Sequence, residues 1–399
     1  MGIGLRHAEI RPLTAIRFFA AFHVLTFHSR DLIAGALAGH EWLRNVIDTG
    51  PVSVGLFFVL SGFILTYTYL RPDRPIDRRS FWVARFARVY PVYLLALLAY
   101  GAVVLARQPW DGPAAQKLWR AAPPVVLLVQ SWIPDLALAW NSPGWSLSAE
   151  AFFYLAFPFA LPVAARLGRR SLFVALGVLW ALALLTPAVF SLLEARGCLS
   201  LRVQGNPTGW PAFVAYNPLV RLPEFLFGVA AGRLFLLRQR PAAPAGRVRW
   251  ASPAAAVAAA LALALLACAP ALGRHLPAFT YHNGLLAPLW GVLIYALAVD
   301  EGLAARLLSA RPLVLLGEAS YALYLLHVPA RLALDRTGLV ATSRMASAGL
   351  FLGYAAVVVV VSLLVFWLFE EPARRLIRGR FAGPAGAKAP WIGRKGGPG

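Results

Sequence analysis

The sequence predicts an all-α protein that crosses a lipid bilayer about ten times, and three observations support this fold class. Of its 399 residues, 59% are hydrophobic and only 14% are charged, unlike a soluble globular domain. Apolar stretches of roughly 20 residues recur along the whole chain, each long enough to cross about 30 Å of hydrocarbon. The arginines lie mainly in short loops between these stretches, a pattern typical of cytoplasmic loops.

Ten stretches have the length and composition of membrane spans. The first is not a cleavable signal peptide, because polar residues run through its centre and no small-residue cleavage pattern follows it. The predicted spans are residues 12–33, 51–70, 86–106, 144–165, 171–193, 220–237, 250–270, 284–299, 313–333 and 346–370.

The apolar stretch 121–134 is predicted to be re-entrant or interfacial, because it is short and prolines bracket it. The loop 71–88 holds six Arg against two Asp, which predicts a cytoplasmic position. With ten spans, basic stretches such as 238–249 also lie on the cytoplasmic side of the membrane. If 121–134 were an eleventh span, these stretches would lie on the outer side. Ten spans therefore predict that both termini are cytoplasmic and that residues 194–219 lie outside.

These positions predict a cytoplasmic N-terminal segment at 1–11, one transmembrane domain at 12–371 and a cytoplasmic tail at 372–399. The end of the tail is rich in Gly, Pro, Ala and Lys, which is typical of disorder. The net charge of +21 is spread over many loops, with no compact basic domain, so we expect no nucleic-acid partner. Only two cysteines occur, which argues against a disulfide framework or a cysteine metal site, and no metal is predicted.

The first span carries ionisable residues that a bilayer normally excludes. Arg17 and His28 are eleven residues apart, which on an α-helix returns to within about 20° of one direction, roughly 16 Å along the axis. His23 lies about 140° away from His28 and therefore points elsewhere. Such residues normally face the bundle interior or a water-filled cavity. The alternative is a packing histidine that hydrogen-bonds to a backbone carbonyl.

Two further titratable residues are predicted near the depth of His28. Glu150 lies roughly 11 Å from the outer end of the fourth span, and His327 lies about 9 Å from the outer end of the ninth. Tyr321, Tyr324 and His327 are spaced i, i+3, i+6 and share a broad helix face. A common depth favours a shared site, although each residue could instead have its own packing role.

Arg85 and Arg88 are one helical turn apart, at the predicted inner mouth of the third span. Guanidinium groups bind phosphate oxygens bidentately, so the pair is a candidate phosphate clamp. The alternative is a pair of positive-inside anchors, with Trp82 and Tyr90 at the membrane interface.

Five motifs in this order resemble those of the acyltransferase-3 membrane proteins, and the resemblance spans about residues 10–375. The motifs are the Arg-x10-His pair of the first span, GLFFVLSGFIL at 55–65, RFARVYP at 85–91, WSLSAEAFFY at 145–154 and SYALYLLH at 320–327.

The resemblance implies a bacterial O-acyltransferase of the inner (cytoplasmic) membrane. Family members usually carry an acyl group, most often acetyl, from cytoplasmic acyl-coenzyme A to a hydroxyl of a surface polysaccharide, a lipid-linked sugar or an antibiotic. The expected partners are therefore acyl-coenzyme A as co-substrate, a carbohydrate or lipid-linked acceptor and the bilayer, with no other cofactor. The residues that match the family's functional positions are Arg17, His28, Arg85, Arg88 and Glu150.

A mechanism follows from this resemblance together with the predicted positions. Arg85 and Arg88 hold the donor phosphates while the long arm of coenzyme A threads between helices. A neutral His28 takes a proton from the acceptor hydroxyl, and Glu150 orients the imidazole and stabilises its charged form. Direct transfer and an acyl-enzyme both remain open. The residues expected on the acceptor side are His327, Tyr324 and Trp145.

Two other classes of protein stay open. A transporter would also use buried His, Glu and Arg, as a proton or substrate relay. Against it, no obvious internal repeat and no Gly/Pro-broken pair of spans at matching positions is present. A membrane scaffold has no use for an arginine and three titratable groups in its core.

Overall fold

The computed structural model describes six stretches of the chain. The basic loop 239–249, which the charge pattern assigns to the cytoplasm, lies outside them, as do residues 1–8 and the end of the tail from 382. The described residues are 9–71, 75–106, 112–200, 208–238, 250–277 and 279–381.

All regular structure in the described residues is helical, as predicted. Short 3₁₀ turns at Gly50–Val52, Gln130–Trp132 and Pro134–Leu136 join helices, and a π-turn at Phe366–Glu370 links α16 to α17. The α-helices are α1 (Arg11–His28), α2 (Arg30–Ile33), α3 (Glu41–Asp48), α4 (Ser53–Tyr69), α5 (Arg78–Leu105), α6 (Pro113–Val126), α7 (Gly144–Arg166), α8 (Arg169–Ala195), α9 (Gly209–Tyr216), α10 (Pro218–Arg238), α11 (Ala251–Ala267), α12 (Ala269–Gly273), α13 (Ala287–Val299), α14 (Leu303–Leu308), α15 (Arg311–Asp335), α16 (Arg344–Val365) and α17 (Glu371–Phe381).

Within the described stretches, six helices are long and apolar enough to cross a membrane. They coincide with six of the ten predicted spans, whereas the other four predicted spans fall on α1, α10, α11 and α13. Ionisable residues lower the mean hydropathy of α1 and α10, and α11 and α13 have only 17 and 13 residues. The count of ten spans stays a prediction. The six helices are Gly50–Tyr69, Arg78–Leu105, Gly144–Arg166, Arg169–Ala195, Arg311–Asp335 and Arg344–Phe381.

The stretch 121–134 does not form a membrane-length helix. α6 ends at Val126, and two short 3₁₀ turns follow it. The buried Gln130 Nε2 donates to Gly144 O at 2.9 Å, and Ser131 Oγ donates to Trp145 O at 2.7 Å. These bonds hold the stretch against the start of α7, because a carbonyl oxygen that accepts an intrahelical N–H keeps a second lone pair for a side-chain donor.

Helix α5 begins at Arg78, eight residues before the predicted third span. Asp77 caps the helix, accepting from Ser80 N at 3.4 Å and from Ser80 Oγ at 2.5 Å. The Ser80 hydroxyl lowers the pKa of the Asp77 carboxyl. Arg85 and Arg88 therefore lie roughly 10 and 15 Å from the start of the helix, and their position at the inner mouth of the membrane span stays a prediction.

The first part of the predicted tail 372–399 is helical. Its first residues, 372–381, belong to helix α17, which packs against α5. Glu371 accepts hydrogen bonds from Arg374 and Arg375, one turn further along, and these pairs support the helix.

Two close helix contacts bring the motif residues together. A Cβ at Gly228 of α10 would lie 1.9 Å from Val59 O, and one at Gly62 of α4 would lie 2.1 Å from Phe225 O. Only glycine allows this approach, which explains Gly62 in the motif GLFFVLSGFIL. Similarly, a Cβ at Gly317 of α15 would lie 2.0 Å from a backbone oxygen of α1. The helices that carry the candidate site therefore pack backbone to backbone.

Replacing Gly228 by alanine should destabilise the protein by about 1–3 kcal/mol, because the new methyl group overpacks the contact between α4 and α10. The measurement is the midpoint of unfolding in detergent. Gly177→Ala, on the face of α8 where a Cβ meets nothing within 4 Å, is the matched control and should be neutral or slightly stabilising. Equal midpoints for the two variants would contradict the close packing.

Candidate functional site

Two histidines from facing helices meet at one end of the bundle. His327 Nε2 of α15 lies 3.2 Å from His28 Nδ1 of α1. Each ring also faces the carbonyl one turn earlier on its own helix, at 2.9 Å between His28 Nδ1 and Val24 O and 3.2 Å between His327 Nδ1 and Leu323 O. His327 is fully buried, and His28 is partly exposed.

These contacts fix the tautomers of the neutral pair. A carbonyl oxygen only accepts, so the proton of each ring lies on Nδ1. His327 Nε2 then presents its lone pair to the Nδ1–H of His28. His28 Nε2 keeps a lone pair and has no hydrogen-bond partner among the described residues. An imidazole with a free lone pair on one side and a bound N–H on the other is suited to act as a general base.

His23, on the same helix, has a different environment. Its Nδ1 lies 2.8 Å from Ser53 Oγ, and its Nε2 lies 2.6 Å from Val46 O. Both ring nitrogens of His23 are therefore engaged in hydrogen bonds. This agrees with its predicted orientation away from His28.

Glu150 lines an inner chamber of about 150 Å³ between α1, α4, α5, α7 and α15. Its Oε1 accepts from Ser61 Oγ at 3.2 Å and from the Tyr154 hydroxyl. The sequence led us to expect Glu150 beside His28, but the hydrogen-bond partner of His28 is His327. The difference arises because Ser61 lies next to Gly62 in α4 and offers Glu150 a hydroxyl from the neighbouring helix.

A larger cavity of about 390 Å³, here called the vestibule, adjoins the inner chamber. Arg17, Arg85 and Arg88 line both cavities and so mark the neck between them. Six arginines against three acidic residues line the vestibule, which gives it a positive excess. The charged lining residues are Arg17, Arg71, Arg85, Arg88, Arg374, Arg378, Glu9, Asp77 and Glu318.

The three arginines of the neck differ in how far they are neutralised. Arg17 makes no hydrogen bond or ion pair with a residue in the described part of the chain. Arg85 Nη2 donates to the Tyr69 hydroxyl at 3.5 Å, and its buried Nε has no described partner. Arg88 Nη1 binds Glu370, which is 1% exposed and sits on the π-turn before α17. Arg17 and Arg85 therefore carry most of the uncompensated charge.

Tyr324 connects the inner chamber to the histidine pair. Its hydroxyl lies 2.8 Å from Ser146 Oγ, its side chain lines the chamber, and its ring centroid is 6.2 Å from that of His327. Trp145, predicted on the acceptor side, is only 5% exposed. Its ring packs against Phe58 and Tyr216, so the structure places it in the core and not on an open surface.

The sequence reading missed a buried polar network centred on Arg221. Arg221 Nη2 lies 2.7 Å from Glu224 Oε2, and Arg221 Nη1 donates to Asn283 Oδ1 at 2.7 Å. His282 Nδ1 lies 3.0 Å from the same guanidinium nitrogen. The sequence did contain an indication of this network, because Arg221 and Glu224 are charged residues inside an apolar stretch, as Arg17 is. Nothing in the sequence indicated His282 or Asn283 as their partners.

Comparison with known proteins places this architecture in a class. The family model described as acyltransferase domain matches residues 11–370, which is most of the chain. The chain therefore belongs to this acyltransferase family. It is a multi-pass membrane enzyme that transfers acyl groups, as the motifs predicted. No solved structure matches the chain.

Named relatives are similar over most of this chain. The acyltransferase MdmB of Streptomyces mycarofaciens is 32% identical over 385 residues, which cover 93% of each chain. YrhL of Bacillus subtilis, provisionally named a peptidoglycan O-acetyltransferase, is 27% identical over 81% of this chain. The peptidoglycan O-acetyltransferase OatA of Listeria monocytogenes is 24% identical over 80% of it. The matched region covers 49% of each of these last two proteins.

Proposed function

We propose that the protein transfers an acyl group from a coenzyme A thioester to a hydroxyl of a carbohydrate or of a glycosylated, lipid-linked acceptor. The observation that carries the proposal is the series of adjoining spaces: an arginine-lined vestibule, a neck, and an inner chamber whose wall residue Tyr324 contacts His327. The polarity of these spaces matches a donor with phosphates at one end and a thioester at the far end of a long arm.

The donor phosphates bind in the vestibule, where Arg17 and Arg85 offer guanidinium groups with few partners of their own. Charge-assisted hydrogen bonds to phosphate are among the stronger polar contacts in proteins. Arg88 contributes less, because Glu370 already neutralises part of its charge. The arm then passes the neck, and the thioester approaches the histidine pair from the chamber side.

The chemistry at His28 is a proton transfer in two directions. Its Nε2 takes the proton of the acceptor hydroxyl as the oxygen attacks the thioester carbon. The C–S bond breaks, and the departing coenzyme A sulfur receives that proton from the imidazolium. His327 Nε2 accepts from His28 Nδ1–H throughout and holds the ring in position. Glu150, bound to Ser61 and Tyr154, supplies negative charge within the inner chamber.

The relatives' names support an acetyl group and a carbohydrate acceptor, since two of them name peptidoglycan O-acetylation. We further propose an inner-membrane location with both termini, and the vestibule, on the cytoplasmic side. The basic loop 71–88 supports this orientation, because its residues Arg71 and Asp77 form part of the vestibule rim.

Single cysteines test this orientation in a variant without Cys198 and Cys268. Pro75→Cys should react with a membrane-impermeant thiol reagent only after the cytoplasmic face is opened, and Thr208→Cys should react in intact cells. Both positions are exposed. Labelling of Pro75→Cys in intact cells would reverse the proposed orientation.

Release of coenzyme A thiol by purified protein in lipid nanodiscs tests the activity. With acetyl-coenzyme A alone, slow hydrolysis is expected, because water replaces the missing acceptor. Added cell-envelope glycans should increase thiol release and gain an acetyl mass. A transporter would release no thiol under either condition, and that result would contradict the proposal.

A further inference from the structure

We propose that the outward face of helix α17 is a binding surface for the headgroups of anionic phospholipids. The residues that form this face are Arg375, Leu376 and Arg380, all of which are exposed. The inference concerns a lipid partner, so it goes beyond the proposed reaction and does not depend on it.

Helix α17 continues the last membrane helix without a break, since the stretch Arg344–Phe381 is helical throughout. The 22 residues of α16 and the five residues of the π-turn together rise about 40 Å along the axis. The hydrocarbon core is only about 30 Å thick, and the two headgroup layers extend the bilayer to about 40–45 Å. α17 therefore begins near the edge of the hydrocarbon and runs through the headgroup layer.

The exposed side chains change from apolar to basic at this boundary. Val360, Leu364 and Leu368 are exposed and follow one another at intervals of four residues along one face. Beyond the π-turn, Arg375 and Arg380 are exposed in their turn, and the side chain of Arg375 is 66% exposed. The apolar stripe faces the lipid tails, so the two arginines lie at the level of the lipid phosphates.

The two faces of α17 have different surroundings. Arg374 and Arg378 line the vestibule. At 100° per residue, Leu376 points directly away from the direction midway between them, and it is 56% exposed. Arg375 and Arg380 flank Leu376 on either side, at about 100° and 40°. An exposed apolar side chain between two arginines is typical of a helix that inserts its apolar residue at the membrane interface and binds anionic headgroups with its cations.

The charge of the outward face favours anionic over zwitterionic lipids. Glu371, the one acidic residue of α17, is 9% exposed and accepts hydrogen bonds from both Arg374 and Arg375. A single carboxylate does not neutralise these two arginines and Arg380 as well, so the helix keeps a positive excess. In the orientation proposed above, α17 also meets the cytoplasmic leaflet, whose surface potential is negative.

Fluorescence quenching by spin-labelled lipids measures the preference directly in nanodiscs of phosphatidylcholine. A bimane label is attached at Leu376→Cys in a variant without Cys198 and Cys268. Phosphatidylglycerol or phosphatidylcholine that carries a nitroxide near the headgroup is then added at matched fractions. Phosphatidylglycerol should associate at least about fivefold more tightly than phosphatidylcholine, since one arginine near an anionic surface contributes a factor of about this size. Arg375→Gln combined with Arg380→Gln should bring the ratio close to one.

The double variant Arg169→Gln with Arg170→Gln is the matched control, because it removes two exposed arginines from the first turn of another helix, α8. It should leave the ratio unchanged. Equal association of the two lipids with α17 would overturn the inference and leave its arginines as topological anchors. A ratio that survives the loss of Arg375 and Arg380 would overturn it as well.

Inorganic phosphate distinguishes a lipid surface from a site for any phosphate group. At millimolar concentration it should not displace phosphatidylglycerol from the label, because it lacks the tails that hold the lipid beside Leu376. Displacement would assign the site to a free anion and overturn the lipid assignment. The quenching ratio requires no acyl transfer, so failure of the proposed reaction and failure of this inference are measured separately.

Discussion

Replacing His28 by alanine should reduce acyl transfer by about 10²–10⁴-fold, the usual effect of losing a general base. The reason is the free lone pair on His28 Nε2, which no other described side chain at this position replaces. Donor binding should persist, because the arginines that line the vestibule lie near the other end of α1. Thiol release and donor affinity, measured on the same preparation, separate the two effects.

His23→Ala is the matched control, since it removes an imidazole from the same helix. Both nitrogens of His23 are occupied by Ser53 and Val46, so it has no lone pair to offer a substrate. Its loss should affect stability more than turnover. Equal losses of turnover in folded His23→Ala and folded His28→Ala would reject the assignment of His28 as the base.

His327→Ala should give an intermediate loss, because it removes the acceptor that orients His28 and leaves the base itself in place. A shift in the pH dependence of kcat distinguishes this positioning role from a purely structural one. In a structural role, folded protein would keep the unmodified pH profile.

Helical periodicity was sufficient to predict much of the first span. Arg17 and His28 both lie on the side of α1 that faces α15, where Arg17 lines the chamber together with Tyr321 and Tyr324. His23 points away, as the 140° offset required. These predictions needed only the geometry of one helix, which the sequence contains in full.

Contacts between helices could not be predicted from the geometry of a single helix. The distance of Glu150 from the start of its helix could be predicted from the sequence, but its contact with Ser61 of α4 could not. Likewise, Arg88 and Glu370 are 282 residues apart, and a π-turn sets the direction of Glu370. A single sequence does not reveal which helices become neighbours, so the partners of charged residues were the part of the site that could not be predicted.

The glycines show how such neighbours are selected. Gly62 and Gly228 allow α4 and α10 to touch, and Ser61, next to Gly62, then reaches Glu150 on α7. The Ser61–Gly62 pair of the motif GLFFVLSGFIL therefore serves helix packing and makes one polar contact with Glu150.

Removing the guanidinium groups of Arg85 and Arg88 together should weaken binding of acetyl-coenzyme A by about 10²-fold, since hydrogen bonds to charged groups contribute about 1.5–3 kcal/mol each. Arg85→Ala should account for most of the loss, because Arg88 is already bound to Glu370. Arg17→Ala should also weaken binding, since Arg17 lines both cavities without a described partner. Isothermal titration with the nanodisc-bound protein measures each affinity.

The double variant Arg78→Ala with Arg79→Ala is the matched control, because it removes the same two charges from the first turn of the same helix, outside both cavities. Its affinity for the donor should stay close to that of the unmodified protein. Acetyl-pantetheine, which has the thioester and the arm but no nucleotide phosphates, should bind all variants equally. The phosphate assignment fails if Arg85 and Arg88 can both be removed with no loss of acetyl-coenzyme A affinity, and the two would then be topological anchors. It also fails if acetyl-pantetheine binding falls in parallel, because the arginines would then act on the arm or on the shape of the neck and not on the phosphates.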